Sequence, residues 1–204
     1  SNAYAYNSHN YVVKEDSYWY DIVLEETGAG NHAIYGKDTL TIADGKKLTM
    51  DYAGRHEMSQ ANFPGGLCLY LSYEAGDWTK DINVNGGTIT VYGTGNDKVG
   101  YGGYIRENAT GKIVVDGTDL NFNDLQYGFK IKDSEANITN NNLNLNKTFY
   151  AVYTENEGNF TANSKNFSIN SAEVGIFSID NSLASVKDAD NILFYNGYVT
   201  TNSW

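Results

Sequence analysis

Residues 137–146 read "NITNNNLNLN", and six of these ten residues are asparagine. A tract of this composition is typical of low-complexity sequence. However, Leu143 and Leu145 alternate with asparagine, and Ile138 lies five residues before them, as expected of strands with one buried face. The sequence on either side of the tract decides between the two interpretations.

The C-terminal half divides into four segments of similar pattern, which begin at Gly111, Glu135, Glu157 and Asn181. Short apolar pairs recur at matching places. The first pair is Ile113/Val115, Ala136/Ile138 and Phe160/Ala162. The second is Leu120/Phe122, Leu143/Leu145, Phe167/Ile169 and Ile192/Phe194, with starts 23, 24 and 25 residues apart. The third is Phe129/Ile131, Ala151/Val152 and Val174/Ile176.

Three short strands that repeat about every 22–25 residues predict an all-β chain folded as a parallel β-helix. Earlier second pairs, Ile89/Val91 and Leu48/Met50, bring the total to about six rungs and imply insertions at 54–66 and 93–103. In the opening tract, residues 140–142 are then expected in a turn between two core strands. A β-sandwich is the alternative, because its turns also recur at short intervals.

The chain divides into three parts. Residues 1–3 ("SNA") have the sequence of a purification-tag remnant. Residues 4–37 are rich in aromatic side chains and lack the repeat, so we expect an N-terminal cap or an irregular first rung. Residues 38–204 are predicted to form the β-helix. No capping pattern closes its C-terminal end, which predicts a fragment of a longer solenoid.

Charge and cysteine content exclude several classes of partner and site. The net charge is −11, with only Arg55 and Arg106 as arginines, so nucleic acid and anionic membrane surfaces are not expected partners. No apolar run is long enough for membrane insertion. The single cysteine, Cys68, is expected to be buried and inert, and the histidines show no metal-ligand spacing. We expect a monomer.

Acidic, asparagine-rich, cysteine-poor segments such as "ANITNNNLNLN" and "GKIVVDGTDLNFN" resemble the passenger regions of Gram-negative autotransporters and related surface adhesins. The resemblance covers roughly residues 38–200 and consists of a similar composition and repeat period, without a specific motif. It implies a right-handed, pectin-lyase-like parallel β-helix that is secreted to the bacterial cell surface at the outer membrane. It also implies a non-catalytic stalk-like or adhesive role in virulence, with a host or biofilm protein or glycan as the ligand.

An acidic residue recurs where the third strand ends, as in "YIRE", "KIKD", "VYTE" and "FSID". Aligned in this way, the predicted column consists of Glu74, Glu107, Asp133, Glu155 and Asp180. Three interpretations remain open. The side chains could accept hydrogen bonds from turn amides, bind calcium as the one candidate cofactor, or catalyse cleavage of a polysaccharide. Arg106, Lys130 and Lys132 are the nearest basic residues.

Tyrosines cluster around the third strand and offer a candidate ligand-binding face. They are Tyr92, Tyr101, Tyr104, Tyr127, Tyr150 and Tyr153, the last five of which are the predicted ligand-binding residues. Alternatively, the rings could simply cover the flank of the solenoid. The sequence therefore favours a non-catalytic adhesin segment over an enzyme. A polysaccharide lyase or glycoside hydrolase and a trimeric phage tailspike-like protein are the alternatives.

Overall fold

In the computed structural model, the described residues (6–20, 33–51, 67–73, 76–93, 95–96, 100–195 and 200–201) contain 19 β-strands. Every strand pairing recorded among them is parallel, which confirms the prediction of an all-β chain with parallel strands. The part of the chain that the structure describes forms no helix that could span a membrane.

The described chain passes through the same three strand positions seven times, and each pass is one repeat. The first position holds β1 (Asn10–Val13), β4 (Thr39–Ile42), β7 (Ile82–Asn85), β10 (Ile113–Asp116), the first halves of β13 (Glu135–Asn146) and β15 (Asn159–Asn170), and β17 (Leu183–Val186). The second holds β2 (Ser17–Tyr20), β5 (Lys47–Asp51), β8 (Thr88–Tyr92), β11 (Asp119–Asn123), the second halves of β13 and β15, and β18 (Asn191–Tyr195). The third holds β3 (Ile34–Tyr35), β6 (Leu67–Leu71), β9 (Tyr101–Ile105), β12 (Tyr127–Lys132), β14 (Tyr150–Glu155), β16 (Val174–Ser178) and β19 (Thr200–Thr201).

The predicted first and second apolar pairs are aligned by the strand register. Two continuous columns of inward side chains form at the second position, since each strand pairs in parallel with its counterparts in the adjacent repeats. The columns are Leu48, Ile89, Leu120, Leu143, Phe167, Ile192 and Met50, Val91, Phe122, Leu145, Ile169, Phe194. Except at β18, these side chains are buried, so the columns form the centre of the core.

The predicted alignment of the third pair was wrong by one residue at Ala151, which was matched with Phe129, and by two residues at Val174. Val174 pairs with Tyr150, whereas Phe129 aligns with Val152 and then with Ile176. The pattern failed because hydroxyl side chains fill inward positions in the later repeats. Thr154 donates to Ser178 Oγ at 2.6 Å and lies 2.8 Å from Ser182 Oγ, so these buried polar atoms pair with one another.

The segment assigned to a cap or irregular first rung contributes strands in the common register. In β1, Asn10 pairs with Thr39, and in β2, Ser17 pairs with Leu48. These strands raise the number of described repeats to seven, one more than the expected value of about six. The predicted insertion at 54–66 lies outside the described residues. The one predicted at 93–103 is shorter than expected, since β9 begins at Tyr101.

The asparagine-rich tract forms one continuous strand, β13, without the separate turn expected at 140–142. Asn140 points inward at this corner, and its side-chain amide donates to the carbonyls of Thr118 and Asn142. The carboxylate of Asp119 accepts the backbone amides of Asn141 and Asn142. The bonds to Thr118 and Asp119 tie this corner to the preceding repeat, so the strand continues without a separate turn.

Candidate functional site

Aromatic side chains cover the outer side of the third strand position. Their cluster is separate from the main core, which places them on the other side of the sheet. In one column the register aligns Tyr35, Tyr70, Tyr104, Lys130, Tyr153 and Phe177, and a neighbouring column consists of Tyr101, Tyr127 and Tyr150. We call these nine residues the aromatic face.

The rings of the aromatic face stack on one another along the direction of the repeats. Tyr127 lies parallel to both of its column neighbours, with centroids 5.2 Å from Tyr101 and 5.2 Å from Tyr150. Tyr153 and Phe177 are likewise stacked, at 5.2 Å. Because neighbouring rings cover both flat sides of Tyr127, this residue presents its ring edge and its phenol hydroxyl. Flat stacking of a sugar ring on Tyr127 is therefore prevented.

Solvent reaches only part of this face. Of the five predicted ligand-binding tyrosines, Tyr101 and Tyr104 are buried, whereas Tyr127, Tyr150 and Tyr153 are half-exposed. Tyr35 is half-exposed at the N-terminal end of the face, and the accessible part at the later repeats, which we call the open patch, consists of Lys130, these three tyrosines and Phe177. Tyr92, also noted in the sequence, lies at the end of β8 in the second position, away from the face.

Sequence reasoning missed Tyr35, Tyr70 and Phe177 as members of the face. Phe177 was missed because "VGIFS" was aligned through Val174, which placed Phe177 beside the wrong neighbours. The alignment of Tyr153 with Phe177 follows once "YAVYT" and "VGIFS" are matched through their second residues, Ala151 and Gly175. The small second residue of each of these strands is a sequence signal for the correct alignment. A Cβ atom on Gly102 or Gly128, in the same place, would collide with the backbone of the next repeat.

Lys130 replaces an aromatic ring in the middle of its column. Its ammonium nitrogen lies 4.7 Å from the ring centroid of Tyr127, 5.4 Å from that of Tyr153 and 5.6 Å from that of Tyr104. Cation–π attraction to three rings holds the side chain across the face. Partial burial, followed by the nearby charge of Lys132, lowers the pKa of Lys130.

The strand register divides the predicted acidic column. The register pairs Thr154 with Ile131 and Glu155 with Lys132. Glu155 therefore lies one position before the place assigned to it. Counted from the same register, Glu107, Asp133 and Asp180 keep equivalent places in their repeats, and Asn156 takes the place expected for Glu155. Glu74 lies outside the described residues.

Three of the predicted acids have structural partners. Lys132 Nζ lies 3.2 Å from Glu155 and 3.9 Å from Glu107, and Arg106 lies 3.4 Å from Glu107. A backbone hydrogen bond and then Arg106 and Lys132 lower the pKa of Glu107. Asp133 has a positive φ of 61° and accepts the backbone amide of Asn108 at 2.8 Å. Asp133 thus accepts a turn amide, as in the first interpretation of the column, whereas Glu107 and Glu155 form ion pairs.

A cation site receives no geometric support from the described acids. Within the described residues, no three His, Cys, Asp or Glu side chains lie close enough together to hold a metal ion. The carboxylates of Glu107, Glu155 and Asp133 instead meet Lys132, Arg106 or a backbone amide. The single described cysteine, Cys68, is fully buried, and burial raises the pKa of its thiol, so it is not a candidate nucleophile.

No protein-family model matches the chain, and neither a curated protein nor a solved structure matches it. The geometry of the chain's own residues is therefore the basis for a function.

Burial of the tyrosines predicts alkaline unfolding. Desolvation raises the pKa of Tyr35 and of Tyr104 from 10.0 to about 12. The folded state keeps these protons when the unfolded state has lost them, so stability is complete below pH 10 and decreases as the pH rises towards about 12. We expect phenolate absorbance and loss of β-sheet circular dichroism to appear together in this interval.

Tyr104→Phe provides the matched variant for this titration. It removes one buried ionisable group and keeps the ring, so the alkaline transition should move to higher pH. Titration of all tyrosines with one midpoint near pH 10, with the circular dichroism unchanged, would contradict the prediction.

Proposed function

We propose that the chain is a segment of a right-handed parallel β-helix that serves as a non-catalytic, adhesive stalk on the bacterial surface, similar to an autotransporter passenger. The observation that carries this proposal is the regular parallel stack of seven repeats, one side of which displays the open patch. An extended stack separates a binding surface from its point of attachment, as in other solenoid proteins. The ligand in this proposal is a host or biofilm protein or glycan.

The acidic residues support a non-catalytic role over polysaccharide cleavage. A glycosidase needs two carboxyl groups about 5–10 Å apart on either side of the scissile bond, one of them free to donate a proton. Here Glu107 and Glu155 share Lys132 as an ion-pair partner, and Asp133 accepts a hydrogen bond at a chain turn. Asp133 therefore contributes to the corner of its repeat, and the ion pairs with Lys132 hold Glu107 and Glu155 as carboxylates rather than as proton donors.

The open patch supports ligand binding through hydroxyl groups. Tyrosine is enriched at interfaces because a rigid ring supplies contact area and a hydroxyl supplies hydrogen bonding. Stacking between neighbours fixes the rings of Tyr127 and Tyr150 before any ligand arrives, so little side-chain entropy is lost on binding. Lys130 adds a half-buried positive charge to a protein of net charge −11. A ligand that matches this surface offers hydrogen-bond acceptors.

Binding of the chain to a glycan array and to immobilised collagen, fibronectin and laminin tests this function. We expect saturable binding to at least one of these probes. The double variant Tyr127→Phe/Tyr150→Phe removes two hydroxyls and keeps both rings, and should weaken binding at least about tenfold, or about 1.4 kcal/mol. Tyr92→Phe, on another sheet position, is the matched control and should bind like the parent chain.

Two results would overturn the proposal. The first is release of unsaturated or reducing sugar ends from pectate, alginate or a glycosaminoglycan, which would identify an enzyme. The second is binding to none of the probes, or binding that the double variant leaves unchanged.

A further inference from the structure

The C-terminal end of the described stack exposes strand edges and apolar side chains. In the described part of the chain, β17 and β18 each pair with β15 alone, so the backbone groups on their other edge have no strand partner there. Ile192 is 53% exposed and Phe194 40%, although both continue core columns whose previous members, Phe167 and Ile169, are buried. An apolar column that is open at one end favours a further layer.

The asparagine ladders indicate the chemistry of that layer. The side-chain amide nitrogens of Asn144, Asn146, Asn166 and Asn191 donate to the side-chain oxygens of Asn121, Asn123, Asn142 and Asn166, respectively. Each donor therefore belongs to the later repeat and each acceptor to the earlier one. In the described residues one such ladder ends at Asn191, so its Oδ1 atom is the acceptor for the next amide in the series.

We infer that this end of the stack docks a polypeptide that adds a parallel strand of the pattern asparagine–apolar–any residue–apolar. The chain carries this pattern three times in register, at 142–145, 166–169 and 191–194. The asparagine of the partner would donate to Asn191, and its two apolar side chains would cover Ile192 and Phe194. The partner backbone would pair with the free edge of β18.

A second copy of this chain fits the edge less well. In a head-to-tail contact, the register places Asp16 at the ladder position of the first repeat, directly before Ser17, which pairs with Leu48. A carboxylate there supplies no donor for Asn191, and it already accepts the backbone amide of Lys47. A two-fold contact would place two β18 strands antiparallel, whereas the asparagine ladders of the described chain run between parallel strands. An external strand with its own asparagine has neither defect.

The test uses a fluorescent peptide that copies residues 159–182, which contain "NFSI", titrated into the full chain by anisotropy. We expect saturable binding. A peptide in which the residue equivalent to Asn166 is changed to Asp keeps its shape without the donor, and should bind at least about tenfold more weakly. The double variant Ile192→Asp/Phe194→Asp of the chain should lose binding.

Val12→Asp is the matched control, because Val12 is a 55% exposed apolar residue on the edge strand at the other end of the stack. It should leave peptide binding unchanged, and circular dichroism should show that every variant is folded. Absence of saturable binding, or equal loss in Val12→Asp and in the double variant, would overturn the inference. So would sedimentation that shows a dimer of the chain that Ile192→Asp/Phe194→Asp dissociates, since the edge would then belong to a second copy.

Discussion

Replacement of Phe122 by alanine is expected to lower the free energy of unfolding by about 4 kcal/mol. Phe122 is fully buried at the second strand position, between Val91 and Leu145 in its column. Its ring also contacts Phe129, with the centroids 5.3 Å apart. The deletion removes apolar contacts and leaves a cavity that the stack cannot close, because parallel hydrogen bonds on both sides hold the repeats at a fixed spacing.

Leu193→Ala is the matched control for this prediction. Leu193 lies in the same strand position two repeats after β13 but points outward and is 55% exposed, so its removal should change stability by less than about 0.5 kcal/mol. Urea denaturation followed by circular dichroism measures both effects. A loss below about 1 kcal/mol for Phe122→Ala would show that the second-position columns are not the main source of stability.

Sequence periodicity correctly predicted the strands whose inward side chains are apolar, because burial there follows from the polarity of each side chain. Leu120, Leu143 and Phe167 were aligned correctly because the inward positions at the second strand are apolar in the repeats from β5 to β18. The third strand failed at Thr154 and Ser178, whose hydroxyls are buried because they bond to one another. Pairing of this kind depends on residues in different repeats, so no local pattern indicates it.

The candidate site was likewise predicted from the sequence only in part. Tyr127, Tyr150 and Tyr153 were found from sequence, because an aromatic residue beside a strand is visible as such. Their mutual stacking was not found from sequence, since it depends on register and ring orientation. This stacking changes the expected chemistry of binding from flat ring stacking to hydroxyl recognition. Likewise, Glu155 lies one residue before its predicted place and so leaves the acidic column, whose other described members keep equivalent places. A shift of one residue in a strand alignment is enough to change the partner of a charged group.

Asp38 had no place among the predicted functional residues, yet its replacement by leucine is expected to cost about 3 kcal/mol of stability. Its carboxylate is fully buried and accepts the backbone amides of His9 and Tyr35 at 2.9 Å. The Tyr6 hydroxyl also lies 2.9 Å from both carboxylate oxygens. Burial and then this hydrogen bond raise the pKa of Tyr6, which therefore remains a donor.

Leucine at position 38 would leave the partly buried amides of His9 and Tyr35 without their acceptor, and His9 directly precedes β1 at the start of the first repeat. Loss of the acceptor should therefore release β1 from β4 before the rest of the stack unfolds. Hydrogen exchange is expected to show faster exchange in residues 10–13, while β11 and β13 stay protected. Asp116→Leu, an exposed aspartate at the end of β10, is the control and should leave both measurements within error of the parent chain. Equal protection of β1 in Asp38→Leu and in the parent would mean that packing of Tyr11 and Val13, rather than the carboxylate, holds the first repeat.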